Sequence, residues 1–204
     1  MEGNARAPAV ILASASPTRR DMLRSAGVSV TVEPAHIDEA EVKAALRADS
    51  ASALQAAETL AELKAAKISA RHGTDLVIGA DQILECQGRW FDKPADRAAA
   101  AAHLRALSGQ RHALATGVCL MRGGARLWHH NEAVHLTMRP FGDDFIAAYL
   151  AAAGDDVLGS VGAYRLEGLG AQLFVRVEGD FFTVLGLPLL PLLENLRAHG
   201  VLTR

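Results

Sequence analysis

Ser14, Ser16, Arg19 and Arg20 crowd into the few residues that follow the apolar run Ala9 to Ala13. A buried strand stops there, and Met22, Leu23 and Ala26 then recur at helical spacing up to Gly27. The pattern predicts a strand, a tight loop and a helix start. Ser16 suits the N-cap, and Pro17 suits the first helical position, where its missing N–H is no loss. Free N–H groups at a helix start attract anions, and two arginines add fixed positive charge. Two other stretches carry acid where an element begins or ends: Asp38-Glu39 opens a charged helical segment, and Asp81 follows the apolar run Leu76 to Ala80. Lys64, on a long Ala/Leu/Glu/Lys helix, and Lys93, just before Pro94, complete the set. Carboxylates by themselves suggest acid–base work. Carboxylates together with Arg and Lys suggest a Mg²⁺–phosphate site, because Mg²⁺ takes one or two carboxylates plus phosphate oxygens.

Taken singly, most of these residues have an ordinary structural explanation. Arg19 and Arg20 read as surface charges on a first helical turn. Asp38-Glu39 reads as the acidic start common to many helices. Lys64 and Lys67 read as solvated lysines. Asp81 is different, because a lone carboxylate at the end of a Val-Ile-Gly-Ala run is poorly solvated there.

Around these residues the chain alternates strand and helix. The segment 28–32 is β-branched and alternating, and Pro34 ends it. Helices are predicted over about 41–48 and about 52–72, the second with Gly73 just past its end. Leu76 to Ala80 reads as a buried strand that stops at Asp81, and 82–91 as a hairpin turning near Gln87-Gly88. An Ala-rich helix over about 96–107 ends at Gly109, and long β segments over about 111–121 and 125–138 join at Gly123-Gly124. A helix near 142–153, a glycine-rich region, a strand near 172–178 and a last helix after Gly186-Leu187-Pro188 complete the chain. The expected fold class is α/β, with a mixed sheet flanked by helices. In open α/β sheets, ligands bind at the carboxyl ends of strands, where these charges gather.

The bulk numbers narrow the classes. The 204 residues can bury a full core, and half of them are apolar. A net charge of −2 argues against a general nucleic-acid or membrane-surface binder. Cys86 and Cys119 lie far apart and form neither a disulfide framework nor a zinc ribbon. Residues 1–8 lack a secretory apolar region and no long apolar span follows, so the expectation is a cytoplasmic protein. There is no P-loop, no G-x-G-x-x-G after the first strand and no G-x-S-x-G elbow. The eight histidines contain no H-x-x-x-H pair.

Several motifs occur in order over about residues 10–201: Ser14-Ala15-Ser16-Pro17-Thr18-Arg19-Arg20, Asp38-Glu39, Leu60-Ala61 with Lys64-Ala65, Gly79-Ala80-Asp81-Gln82, Asp92-Lys93-Pro94, Leu107-Ser108-Gly109, Gly162-Ala163-Tyr164 with Glu167-Gly168, Glu178-Gly179-Asp180 and Gly186-Leu187-Pro188-Leu189. Each is weak alone. Their number and order resemble the Maf family of nucleoside triphosphate pyrophosphatases.

The resemblance implies a fold like that of the inosine-triphosphate pyrophosphatases, with two lobes of one Maf-like domain (1–204, residues 1–8 a flexible tail) around a nucleotide cleft and a long mixed sheet. It implies hydrolysis of a nucleoside triphosphate to the monophosphate and pyrophosphate with a divalent cation, Mg²⁺ or Mn²⁺, as a house-cleaning activity. Matched motif by motif, Asp81 is the catalytic acceptor. Arg19, Lys64 and Lys93 are phosphate contacts, Ser14 is a loop contact, and Glu39 with Asp81 holds the metal. Thr18, Gln82 and Glu167 stand where the family separates its substrate branches. The pyrimidine branch, acting on dTTP and UTP, has Arg, Thr and Gln there; the 7-methyl-GTP branch has Trp, Gln and Glu. This chain matches the second branch at Gln82 and Glu167, while Thr18 matches neither. The partner expected is a nucleoside triphosphate, with neither nucleic acid nor membrane, and a homodimer is compatible. The alternatives are a dTTP/UTP pyrophosphatase of the same family and a non-catalytic nucleotide-binding regulator of septum formation. Such a binder would need no water-activating carboxylate at position 81, so the residues favour the enzyme.

Overall fold

The computed structural model describes residues 8–203. Residues 1–7 of the expected tail lie outside the described residues; Pro8 is half-buried and leads into the first strand.

The strands are β1 (Val10–Leu12), β2 (Val30–Val32), β3 (Leu76–Cys86), β4 (Arg89–Phe91), β5 (Arg111–Arg122), β6 (Ala125–Met138) and β7 (Phe174–Glu178). The α-helices are α1 (Pro17–Ser25), α2 (Glu39–Ala48), α3 (Ala53–Ser69), α4 (Arg97–Leu107), α5 (Asp143–Ala153), α6 (Phe181–Val184) and α7 (Leu189–Ala198). Sheet order is β2-β1-β3-β5-β6-β7, with β4 on β3. β1 pairs in parallel with β2 and β3, whereas β3–β4 and β6–β7 are antiparallel. The mixed α/β sheet expected from the alternating pattern is therefore present.

The chain divides into two compact units. One comprises residues up to Asp81, Thr116–Glu132 and Gly186 onward; the other comprises Gln82–Ala115 and Ala133–Leu185. The first has a core that includes Ile11, Ala13, Ala65, Ile68, Val77, Cys119 and Met121. The second packs Leu84, Phe91, Leu104, Leu107, Leu136, Ile146 and Tyr149.

Helix starts follow their caps. Ser16 Oγ accepts from the Arg19 N–H at 3.3 Å, Asp38 Oδ1 from Glu41 at 3.0 Å, and Asp96 Oδ1 from Ala99 at 2.7 Å. Ser52 and Gln55 form a reciprocal capping box at the start of α3. The turn between β5 and β6 places Gly123 and Gly124 at φ +55° and +79°, a geometry glycine accepts without strain.

Three expectations need correction. Leu76 to Ala80 is not a separate strand: β3 runs on through Asp81 to Cys86. The apolar side chains on both sides of Asp81 are buried, and they continue the strand past a residue that reads as a stop. α3 ends at Ser69 and Gly73 is not left-handed. Its last turn tightens instead, with Arg71 N–H donating to Ile68 O and His72 N–H to Ser69 O at 3.0 and 3.1 Å. His72 is then held between Glu33 and Asp75 at 2.8 and 3.4 Å. The short helix α6, capped by Asp180, does not show in the apolar pattern because it is a single turn.

α3 lies unusually close to the sheet of the first unit. A Cβ at Gly79 would sit 2.0 Å from Ala61 O and 2.8 Å from Ala65 Cβ. A Cβ at Gly117 would sit 2.7 Å from the backbone of Ala57 and Glu58. Ala56, Ala57, Ala61 and Ala65 are fully buried at this contact. Only glycine on the strands against alanine on the helix permits the approach, and it sets the height at which Lys64 leaves α3.

Candidate active site

β1 ends at Leu12, and Ala13 N–H still donates to Ile78 O at 2.8 Å. Beyond that point the chain turns away into the Ser14–Ser16 loop. β3 continues, so Asp81 stands past the end of its parallel ladder although it is mid-strand. The strand-end location expected for the chemistry is thus kept by the partner strand and not by β3 itself.

Arg19, on the first turn of α1, is only 8% exposed. Its Nη1 donates to Ser14 Oγ at 3.0 Å and to Ala80 O at 2.9 Å, and its Nε donates to Gly186 O at 2.7 Å. Burial holds this guanidinium below its ordinary pKa, while the charges of Asp81 and Glu39 push it back up. Ser14 Oγ also accepts from Ser16 N–H at 3.3 Å, which shapes the loop. Arg20 is exposed to a third or more and forks onto its neighbour Asp21 at 2.7 and 3.0 Å, so it behaves as a surface charge.

Lys64 is 8% exposed and Asp81 is 5% exposed. Lys64 Nζ donates to Asp81 Oδ1 and lies 2.7 Å from Glu39 Oε1. One ammonium therefore links the first residue of α2 to the middle of β3. Asp81 Oδ2 is buried with no hydrogen-bond partner. An orphaned carboxylate oxygen is costly unless something else is received there. Lys43, one turn along α2, stands 3.9 Å from Glu39 Oε2. Lys67 points elsewhere and donates to His36 O at 2.5 Å.

Of the residues singled out from sequence, Ser14, Arg19, Glu39, Lys64 and Asp81 come together in the first unit. Thr18 is half-buried on the first turn of α1. Gln82, Lys93 and Glu167 belong to the second unit. There the Gln82 amide donates to Thr183 O at 2.9 Å, Lys93 is exposed between β4 and α4, and Glu167 accepts from Arg165 Nε at 3.0 Å. The carbonyls of Ala80 and Gly186, which fix Arg19, had no sequence signal beyond the Gly-Leu-Pro turn, because a backbone acceptor has no residue type.

Among the described residues no group of three or more His, Cys, Asp and Glu side chains is placed to hold a metal ion, and no helix is long and apolar enough to cross a membrane. Two carboxylates are nonetheless what Mg²⁺ needs when substrate phosphates and water fill its other positions. The unpartnered Asp81 Oδ2 fits that requirement.

The model of the Maf-like protein family matches this chain over residues 9–199. The chain belongs to the Maf-like family. A protein of Paramagnetospirillum magneticum named nucleoside triphosphate pyrophosphatase is 54% identical over 192 residues, covering 94% of this chain and 99% of that protein. A second of that name, from Granulibacter bethesdensis, is 53% identical over 194 residues, 95% of this chain and 98% of that one. A relative from Rhizobium etli is 50% identical over 195 residues, 96% of this chain and 98% of its own length, and is named 7-methyl-GTP pyrophosphatase. Among solved structures, the lipoprotein GNA1162 of Neisseria meningitidis covers 75% of this chain at 14% identity with a TM-score of 0.30, a likeness too low to carry an argument about this Maf-like chain.

Proposed function

We infer that this enzyme, a nucleoside triphosphate pyrophosphatase like its Maf-like relatives, cleaves the α–β phosphoanhydride of a guanine-type nucleoside triphosphate such as 7-methyl-GTP. The observation that carries the reading is the buried Lys64–Asp81 pair, joined by half-exposed Glu39 and ending in an unpartnered carboxylate oxygen, in a protein 54% identical to a pyrophosphatase.

The reaction needs a water oriented at the α-phosphorus and an acceptor for its proton. Asp81 is that acceptor in this reading, through the oxygen that no protein group occupies. As the water oxygen bonds to phosphorus, the bond to the bridging oxygen breaks and pyrophosphate leaves. Charge grows on the non-bridging oxygens and on the leaving group. Arg19, pinned by Ser14, Ala80 and Gly186, is a pre-oriented cation for them, with Lys64 and Lys93 as further phosphate contacts. Pre-orientation matters because a buried guanidinium that need not reorganise stabilises developing charge most. Glu39 and Asp81 would hold the divalent cation, Mg²⁺ or Mn²⁺, which neutralises phosphate charge and makes pyrophosphate a better leaving group.

The base is read through Glu167, with Gln82 and Thr18. An ionised carboxylate only accepts hydrogen bonds. The Watson–Crick edge of guanine offers two adjacent donors, N1–H and the N2 amino group. Uracil and thymine offer one N–H between two acceptors, so Glu167 would face them acceptor to acceptor. Arg165 at 3.0 Å gives Glu167 an ion-pair partner that restrains the carboxylate in one direction. The relative named for 7-methyl-GTP supports the guanine reading. One Maf-like domain accounts for residues 9–199 in this reading, and the enzyme works in the cytoplasm, where nucleotides are made and its two buried cysteines stay reduced.

The test is pyrophosphate release from 7-methyl-GTP, GTP, UTP and dTTP, with Mg²⁺ and with Mn²⁺, by wild type and Glu167→Gln. Wild type is expected to prefer the guanine nucleotides and Glu167→Gln to shift toward UTP and dTTP. A wild type that prefers UTP or dTTP, or an order unchanged in Glu167→Gln, overturns the base assignment. Absence of release from all four overturns the reaction.

A further inference from the structure

We propose that Lys64 is a resident counter-ion that fills the cation position between Glu39 and Asp81 in the unliganded enzyme and gives it up only when a triphosphate arrives to receive its ammonium. The proposal rests on the reading above that Glu39 and Asp81 hold the divalent cation.

The Lys64 ammonium lies between the two carboxylates that would hold a divalent cation, 2.7 Å from Glu39 Oε1 and hydrogen-bonded to Asp81 Oδ1. It is a poor filler for that place. One ammonium has three donors, while two carboxylates present four oxygens, and Asp81 Oδ2 remains buried without a partner. Two acidic side chains brought this close need positive charge between them. Lys64 supplies it in the absence of metal.

Among the described residues, Arg19 and Lys43 are the other cations near the two carboxylates, and each is placed less well for the role. The Nε and Nη1 of Arg19 are committed to Gly186 O, Ser14 Oγ and Ala80 O. Lys43 stands 3.9 Å from Glu39 on the far oxygen. The backbone that carries Lys64 is packed against the sheet, where Gly79 and Gly117 seat α3 directly on it. The four-carbon side chain is the part free to swing.

A divalent cation arriving alone must therefore displace a nearly buried ammonium from both of its carboxylates with no anion to replace them. A triphosphate changes this, since its oxygens accept the ammonium as the metal takes the carboxylates. Metal and nucleotide then bind with positive coupling, and by linkage each tightens the other equally. An enzyme built this way stays closed to free divalent cations and fills its site only with the metal–nucleotide pair. A fixed salt bridge that merely orients Asp81 makes the opposite prediction: Lys64 would stay put, and its loss would weaken metal binding or leave it unchanged.

The experiment measures Mn²⁺ alone, by calorimetry and by the paramagnetic resonance signal of free Mn²⁺, binding to nucleotide-free wild type, Lys64→Met, Lys64→Arg and Asp81→Asn. Lys64→Met is expected to bind Mn²⁺ at least about ten-fold tighter than wild type, Lys64→Arg to resemble wild type, and Asp81→Asn to bind weakly. Added Mn²⁺ should raise the melting temperature of Lys64→Met more than that of wild type. In a second arm, α,β-methylene-GTP should tighten Mn²⁺ on wild type about ten-fold or more and on Lys64→Met much less. Should Lys64→Met fail to fold, Lys64→Gln carries the same comparison. Lys64→Met binding Mn²⁺ no tighter than wild type overturns the counter-ion proposal, while wild type that still takes up Mn²⁺ with the analogue leaves the metal assignment standing. Mn²⁺ binding unaffected by Asp81→Asn overturns the metal assignment itself.

Discussion

Gly79→Ala adds one methyl group to β3 and should disable the enzyme without touching a charged residue. The new Cβ would lie 2.0 Å from Ala61 O and 2.8 Å from Ala65 Cβ. Ordinary contact needs about 3.5 Å, so α3 must retreat by more than about 1 Å. Ala61 and Ala65 flank Lys64, so the displacement falls on the turn that carries its ammonium to Asp81 and Glu39. Overpacking of this kind costs about 1–3 kcal/mol of stability, which in a chain of this size lowers Tm by about 2–4 °C per kcal/mol. Misplacing a catalytic group by about 1 Å costs about 100-fold in rate. The expected variant is thus folded, a few degrees less stable and about two orders of magnitude slower in pyrophosphate release. Gly73→Ala is the control, since a Cβ there meets nothing within 4 Å and its φ lies outside the left-handed region. It should stay within about 0.5 kcal/mol of wild type and keep full activity. Gly79→Ala with activity equal to that of Gly73→Ala would show that the seating of α3 does not position Lys64.

Other expectations follow from the same geometry. Asp81→Asn keeps shape but loses the proton acceptor, and turnover should fall to background with a near-native melting curve; near wild-type turnover would remove Asp81 from the mechanism. Arg19→Ala, Lys64→Ala and Lys93→Ala should each lower kcat/KM ten-fold or more, as loss of a charge-assisted phosphate contact of about 1.5–3 kcal/mol implies. Lys67→Ala, which loses only the contact to His36 O, should be nearly silent, and equal losses at Lys67 and Lys64 would refute the assignment. His112 is buried in the second unit, 2.8 Å from Tyr164 Oη, and burial pushes its pKa down to about 4. The unfolded chain therefore binds more protons between about pH 4 and 6.5, so this stability is fully present above pH 6.5 and lost as pH falls toward 4. At most about 3 kcal/mol is involved. Urea midpoints at pH 7.5 and 5.0 should fall less for His112→Gln than for wild type, and equal falls would reject the assignment.

The parts of the fold that the sequence made legible are those written in side-chain type. Ser16-Pro17 announced α1 because a cap needs a particular side-chain oxygen, and Asp38, Ser52 and Asp96 cap α2, α3 and α4 by the same chemistry in the structure. Asp81 stood out because a carboxylate in an apolar run needs a reason. What stayed hidden was written in backbone and distance. The continuation of β3 past Asp81 depends on which strand stops beside it, and the height of α3 depends on two glycines facing alanines. Arg19 looked like a surface charge because nothing in its neighbours reveals that two carbonyls, one of them 167 residues away, would bury it. The Lys64 bridge was likewise illegible, since the motif names Lys64, Glu39 and Asp81 without saying that they hold one another.

The grip of Gly186 on Arg19 also bears on how the protein is made. Ser14 and Ala80 are present early in synthesis, but the third partner of the guanidinium emerges only after most of the chain has left the ribosome. Until then the Nε of Arg19 lacks the acceptor it has in the finished fold. Any product of synthesis or proteolysis that stops short of Gly186 would then leave Arg19 without its third acceptor. The contact joins the beginning of the fold to the approach to its last helix, a closure that is slow to find because its ends lie so far apart in sequence.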